Sequence, residues 1–151
     1  MKIIKKFFLI NFILILLTSV ILPIEFGFIA GKNTKPSAST LGFSVGSGFF
    51  VPMVKFEFEL MKQKSIGFTD MQAGLKIRKK FGKFAPYAVI GAGARFEKFS
   101  IIFSNYDYFT YIGGGTHFYI FHLVSLRFDI RYQSYSKENN VRLSIGLFAH
   151  I

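Results

Sequence analysis

Across residues 54–60 the even positions are Val54, Phe56, Phe58 and Leu60, with Lys55, Glu57 and Glu59 between them. The same period returns across 126–133, where Leu126, Phe128, Ile130 and Tyr132 alternate with Arg127, Asp129, Arg131 and Gln133. The last segment places Val141, Leu143, Ile145, Leu147, Ala149 and Ile151 on one side. Arg142, Ser144, Gly146, Phe148 and His150 fall on the other. Side chains alternate across a strand, so each segment is predicted to be a β-strand with one apolar and one more polar face.

Weaker alternation extends the pattern. Leu41, Phe43, Val45, Phe49 and Val51 stand opposite Thr40, Gly42, Ser44, Gly46 and Gly48. Met71, Ala73, Leu75 and Ile77 alternate with Gln72, Gly74, Lys76 and Arg78. Ala88, Ile90, Ala92, Ala94 and Phe96 alternate with Tyr87, Val89, Gly91, Gly93, Arg95 and Glu97. Residues 110–120 are rich in Gly and Tyr, and the pattern leaves their faces open. The faintest candidate is 24–31, with Phe26, Phe28 and Ala30 against Glu25, Gly27 and Gly31. Counting it gives eight strands.

The connections alternate in kind. Residues 50–53 and 120–123 read as tight turns, and 79–83 as a short basic one containing Gly82. Residues 33–39, 62–65, 98–107 and 136–140 read as polar loops. Short turns on one rim and longer polar loops on the other are the asymmetry of an outer-membrane barrel, with both termini on the periplasmic, short-turn rim.

Composition decides between solvents. The chain has 151 residues, enough for one domain. It is 51% hydrophobic, 19% aromatic and only 18% charged, which excludes a disordered chain. With no Cys, disulfides, thiolate metal sites and cysteine nucleophiles are excluded. The net charge of +11 could suit nucleic acid or an anionic membrane. A mean hydropathy of +0.39 points to the membrane. The aromatic side chains mostly occupy the alternating apolar face, so no nucleic-acid partner is expected.

Lys2, Lys5 and Lys6 precede an apolar run over 7–17, and Thr18, Ser19 and Pro23 follow. This is the layout of a signal peptide. An uncleaved anchor is the competing reading, although 7–22 is just short of a bilayer-spanning helix. Cleavage is expected near Ser19, with Gly31 as the second choice. Removing residues 1–19 takes three Lys and no acid, so +11 becomes +8. The chain therefore reads as a signal peptide over 1–19 and an outer-membrane barrel domain over 20–151.

Period two does not say which face points outward, because a soluble lipocalin-like barrel alternates too. Three features favour the membrane arrangement. The polar face mixes Gly and Ser with charges of both signs, as a narrow filled lumen requires. The apolar face of the last segment runs to Ile151 with no polar tail. Segments of about ten residues match tilted membrane-crossing strands.

The stretch 84–95, reading FAPYAVIGAGAR, resembles the PY-x-x-x-G-x-G strand of small bacterial outer-membrane barrels. Residues 111–115 (YIGGG) followed by 125–132 (SLRFDIRY) resemble the next hairpin of the same OmpA-like and OmpX-like group. Residues 142–151 are similar to the carboxy-terminal signal read by the barrel-assembly machinery, which usually ends in Phe or Trp where this chain has Ile151. The resemblance implies an all-β, eight-stranded antiparallel transmembrane β-barrel, outer-membrane lipid around it and that machinery as a partner. It implies no particular activity. A monomer is expected.

On this assignment the lumen holds Lys55, Lys76, Arg78, Arg95, Arg127, Arg131 and Arg142 against Glu25, Glu57, Glu59, Glu97 and Asp129. An eight-stranded barrel is just wide enough for side chains to fill, and unpaired buried charges are costly. A paired network plugging the barrel is therefore expected, with a selectivity filter or gated pore as the competing reading. Gly91, Gly93, Gly113, Gly114 and Gly115 lack the GK[ST] of a phosphate loop and are expected to make room for arginines.

A lipid-modifying barrel enzyme is the alternative function class. His117, His122 and His150 are the only histidines, and Ser125 and Ser144 lie on neighbouring predicted strands. Residues 131–136, RYQSYS, loosely resemble the His-x-Ser motif of outer-membrane lipid A deacylases, but Ser134 stands where the His belongs. No intact local catalytic motif is present. His122 reads as a turn residue and His150 as a rim residue. No catalytic residue, metal site or cofactor is expected. A structural, adhesive or envelope-interaction role is expected, with a small porin-like channel or soluble binding barrel as further alternatives.

Overall fold

The computed structural model describes residues 24–48, 53–64, 67–96 and 106–151. The expected signal peptide over 1–19 and Glu97 lie outside the described residues. Alternation over the rest builds β1 (Ile24–Thr34), β2 (Ser37–Gly48), β3 (Val54–Gln63), β4 (Thr69–Arg78), β5 (Phe84–Phe96), β6 (Tyr106–Phe121), β7 (Val124–Tyr135) and β8 (Asn139–His150). Each strand pairs antiparallel with its sequence neighbours, and β1 also pairs with β8 from Glu25↔His150 to Asn33↔Arg142. Backbone bonds between Ile24 and Ile151, at 2.9 and 2.8 Å, complete the seam. Closure leaves no strand edge unpaired, which is what a β-structure in hydrocarbon must achieve.

The faces divide as the pattern requires. Phe28, Ile90 and Ile112 are 74%, 61% and 60% exposed on the outer wall, although they are among the most apolar residues in the chain. Arg127, Arg131, Arg142 and Lys76 are 0% exposed. A water-soluble barrel has the opposite arrangement, so this is a transmembrane barrel fold.

Three connections differ from the polar-loop expectation. Residues 33–39 are mostly strand, because β1 runs to Thr34, β2 begins at Ser37 and only Lys35 and Pro36 lie between. Likewise β3 continues to Gln63, and β8 begins at Asn139. Polarity there marks strand ends that rise beyond the apolar band while keeping their alternation: Lys32 and Thr34 are exposed and Asn33 is buried between them. The long connection left on that end is 97–105, outside the described residues. On the other end His122 and Leu123 alone join β6 to β7.

The β6 strand, whose faces the sequence left open, turns Phe109, Tyr111, His117 and Tyr119 inward. The glycines serve these rings more than the arginines. A Cβ on Gly115 would lie 2.7 Å from the Tyr87 hydroxyl, and one on Gly91 would lie 2.6 Å from that of Tyr111. Only Gly113 of the five faces an arginine, Arg131 Cγ at 2.8 Å. Gly114 is on the outward parity and makes no room in the lumen.

Candidate functional site: the charged lumen

Eleven of the twelve candidate lumen charges fall on inward positions and gather in one column; Glu97 is the residue not described. At the end nearest the termini, Glu25 accepts hydrogen bonds from Lys55 at 3.3 Å, Arg78 at 2.5 Å and Lys76. At mid-height, Glu57 accepts from Lys76 and Arg127 at 2.7 Å each and from Arg131 at 2.5 Å. Glu59 accepts from Arg127, from Arg131 at 2.9 Å, from Arg142 at 2.7 Å and from the Gln72 amide. Asp129 accepts from Arg131 at 2.9 Å, from Ser144 at 3.3 Å and from the Tyr87 hydroxyl.

Strands β3 and β7 stand opposite each other in a ring of eight. The Glu57–Arg127, Glu57–Arg131 and Glu59–Arg131 pairs therefore cross the whole lumen between residues about 70 positions apart in sequence. Charge-assisted bonds of this kind are the stronger class, and a surrounding free of bulk water strengthens them further.

Asp70 belongs to the site, and the sequence reading missed it. It accepts from Arg95 at 2.7 and 3.2 Å and from Gln63 at 2.8 Å, near the loop end. Arg95 also donates to the Tyr135 hydroxyl at 2.6 Å and stacks 4.1 Å over that ring. The signal was the parity of β4, where Asp70 precedes Gln72, Lys76 and Arg78 on one face. The amides of Gln133 and Asn140, 2.8 Å from each other, join the network through Gln72, whose amide oxygen accepts from Gln133 at 3.3 Å. With Asp70 included, the described lumen holds seven cationic side chains and five carboxylates.

The opposite end brings together residues that no local motif joins. The Ser125 hydroxyl lies 2.9 Å from His117 Nδ1 and 2.7 Å from His150 Nε2. His150 Nδ1 in turn is 3.5 Å from Glu25 Oε2. This is the order of a nucleophile, base and orienting acid. Ser125 and His117 are nevertheless 0% exposed and face the filled lumen, and His150 sits half-buried at its mouth. His122 occupies the β6–β7 turn on the outside.

No family model matches the sequence, and no curated protein matches it. Solved structures do match its shape. The chain superposes on the amino-terminal β-barrel domain of Pseudomonas aeruginosa OprF with a TM-score of 0.72 at 13% identity, covering 85% of this chain and 97% of that one. It is also similar to Neisserial surface protein A (TM-score 0.59, 13% identity, 85% and 96% covered). The outer-membrane enzyme PagL matches at a TM-score of 0.50 and 13% identity, with 84% and 98% covered. The fold is therefore that of small eight-stranded outer-membrane barrels. One such barrel is an enzyme, so the fold by itself does not decide activity.

Proposed function

We propose that this protein is an integral outer-membrane barrel with a closed, plugged lumen, acting structurally or through contacts made at its loop end rather than by transport or catalysis. The observation that carries this reading is the set of ion pairs from β3 to β7, which spans the lumen at mid-height. A signal peptide cleaved near Ser19 delivers the chain to the periplasm, the assembly machinery reads β8, and the barrel functions as a monomer. Two measurements test it together. The protein is expected in the outer-membrane fraction with a gel mobility that changes on boiling, because closed barrels resist detergent until heated. Purified into planar bilayers, it is expected to show no steady conductance. A large, stable conductance overturns the plug, and recovery as a soluble periplasmic protein overturns the barrel's orientation.

One observation favours a second reading, acyl transfer, namely the Glu25–His150–Ser125 array. Against it stand the complete burial of Ser125 and its place inside the lumen, away from the lipid-facing wall. The array is better explained as the hydrogen-bonding closure of the periplasmic mouth, satisfying groups that β1, β7 and β8 bury there. The folded barrel is expected to resist labelling by an organofluorophosphonate; labelling at Ser125 would establish the enzymatic reading instead.

A further inference from the structure

The outward positions of β1, β2 and β3 are apolar for most of their length: Phe26, Phe28 and Ala30, then Leu41, Phe43 and Val45, then Phe56, Phe58 and Leu60. At the loop end the same parity changes to Lys32, Ser39 and Lys62, with Lys64 just beyond. All four are exposed. Their registers bring them together. Lys32 pairs with Ser39 across β1–β2, and the Lys64 amide donates to the Ser39 carbonyl at 2.9 Å from the other side. Lys62 pairs with Leu41, one strand repeat nearer the apolar band.

Strand spacing and rise then put the Lys32 and Lys64 backbones about 10 Å apart, with Lys62 about 7 Å from Lys64. The three lysines thus flank one patch of wall, with Ser39 between Lys32 and Lys64. None of the three forms an ion pair among the described residues. The far side of the same rim is different in kind: β6 and β7 present Tyr108, Thr110, Tyr132 and Ser134 there, with no cation. Among the described residues, the exposed lysines of this rim are Lys32, Lys35, Lys62 and Lys64 around β1–β3, and Lys137 in the turn between β7 and β8.

Resting on the membrane reading above, we propose that Lys32, Lys62 and Lys64 clamp the phosphorylated headgroup of an anionic lipid whose acyl chains lie along Phe28, Leu41, Phe43 and Phe58. Two features select this occupant. Lysine ammonium groups are compact point charges suited to phosphate oxygens. The apolar strip directly beneath them gives the same molecule's chains a bed of exposed Phe28, Leu41 and Phe43 with half-buried Phe58. A lipid carrying more than one phosphate fits three separated cations better than a single-phosphate headgroup does.

The experiment compares the wild type with the triple variant Lys32→Gln, Lys62→Gln, Lys64→Gln, both in phosphatidylcholine nanodiscs. Each is titrated with diphosphorylated lipid A and with its dephosphorylated analogue, and bound lipid is counted by native mass spectrometry. The wild type is expected to prefer the phosphorylated lipid by roughly 100-fold, about fivefold per lysine. The triple variant is expected to lose that preference. Lys79→Gln, Lys80→Gln, Lys83→Gln, on the opposite rim, is expected to keep it. Equal preference in wild type and triple variant overturns the clamp. Displacement of the lipid by equimolar inorganic phosphate overturns it too, in favour of a simple anion site. Insertion, read by heat-dependent gel mobility, reports on the membrane reading separately: an inserted barrel without lipid preference refutes the clamp alone.

Discussion

Strands β3 and β7 send Lys55, Glu57 and Glu59, and Arg127, Asp129 and Arg131, into the lumen, whereas β5 and β6 send Tyr87, Val89, Phe109 and Tyr111 into the same space. The first pair of walls fills the barrel with long charged side chains that meet in the middle. The second fills it with rings lying over glycine notches, Tyr87 against Gly115 and Tyr111 against Gly91. The two devices depend on each other. The rings exclude water and offer their faces to the cations, with Arg131 5.0 Å over Tyr111 and Lys76 5.2 Å over Tyr87. A charged wall fails when one partner is removed, because the others remain buried. An aromatic wall fails by crowding. The comparison teaches that the lumen is stabilised by complementarity on one side and by volume on the other.

The sharpest way to break the charged side is Glu59→Ala, which leaves Arg127, Arg131 and Arg142 facing one another with one acceptor fewer. Removing one partner of a buried ion pair costs about 3–5 kcal/mol, and here three cations share the loss. Unfolding in urea from detergent or bilayer is expected to move by at least that amount. A variant unchanged in stability would mean that water already solvates this part of the lumen.

The next largest effect shows that the division is one of faces and not of strands. On the same β3, Phe56 lies between Lys55 and Glu57 and points into lipid, 46% exposed. Phe56→Arg is expected to cost about 2–4 kcal/mol near the bilayer midplane, although arginine is the commonest charge a few ångströms away inside. Phe128→Arg and Ile145→Arg on β7 and β8 are expected to behave alike. Tolerance of all three would put the apolar face inside.

The aromatic side is broken by size. Gly115→Leu directs a side chain at the Phe128 carbonyl oxygen, which its Cβ would meet, and at Tyr87, whose hydroxyl lies 2.7 Å from that Cβ and donates to Asp129. Overpacking of this kind costs about 1–3 kcal/mol. The same substitution at Gly114, one residue away on the outer wall, is expected to cost less, since the nearest atom to a Cβ there is the Tyr87 carbonyl oxygen at 2.9 Å and no side chain lies in the way. Equal costs at the two glycines would show that the notch is not what accommodates the ring.

Much of this architecture was legible in the sequence where the two faces of a strand differ strongly. In β3, β7 and β8 one face is apolar up to its loop-end residue (Lys62, Ser134 and Asn139) and the other carries charges, so parity alone assigns lumen and lipid. Strand β6 was illegible because both faces mix aromatic, glycine and polar residues: Phe109 and Tyr111 look no more internal than Tyr108 and Ile112. Only the registers with β5 and β7 decide it, Gly91↔Tyr111 and Tyr111↔Gln133. Asp70 was passed over because it borders a polar stretch, where an acid is ordinarily solvated. The Ser125, His117 and His150 cluster could not be found by spacing at all. It exists because β7 lies between β6 and β8, and because β8 closes on β1 and brings Glu25 beside His150.

The finest distinction lies between two tyrosines of the aromatic wall. Tyr87 donates its hydroxyl to the Asp129 carboxylate, so it ties the aromatic wall to the charged one. The Tyr111 hydroxyl is buried over Gly74 and Gly91 and has no hydrogen-bond partner among the described residues. A hydrogen bond to a charged group contributes about 1.5–3 kcal/mol, and an unpartnered buried hydroxyl contributes nothing of that kind. Tyr87→Phe is therefore expected to lower stability by about that amount, while Tyr111→Phe leaves it unchanged or raises it slightly, since both keep the ring and its contact with a cation. Paired urea unfolding curves for the two variants measure the difference directly. If Tyr111→Phe costs as much as Tyr87→Phe, the aromatic wall takes part in the polar network along its whole height, and the contrast between the walls is one of composition only.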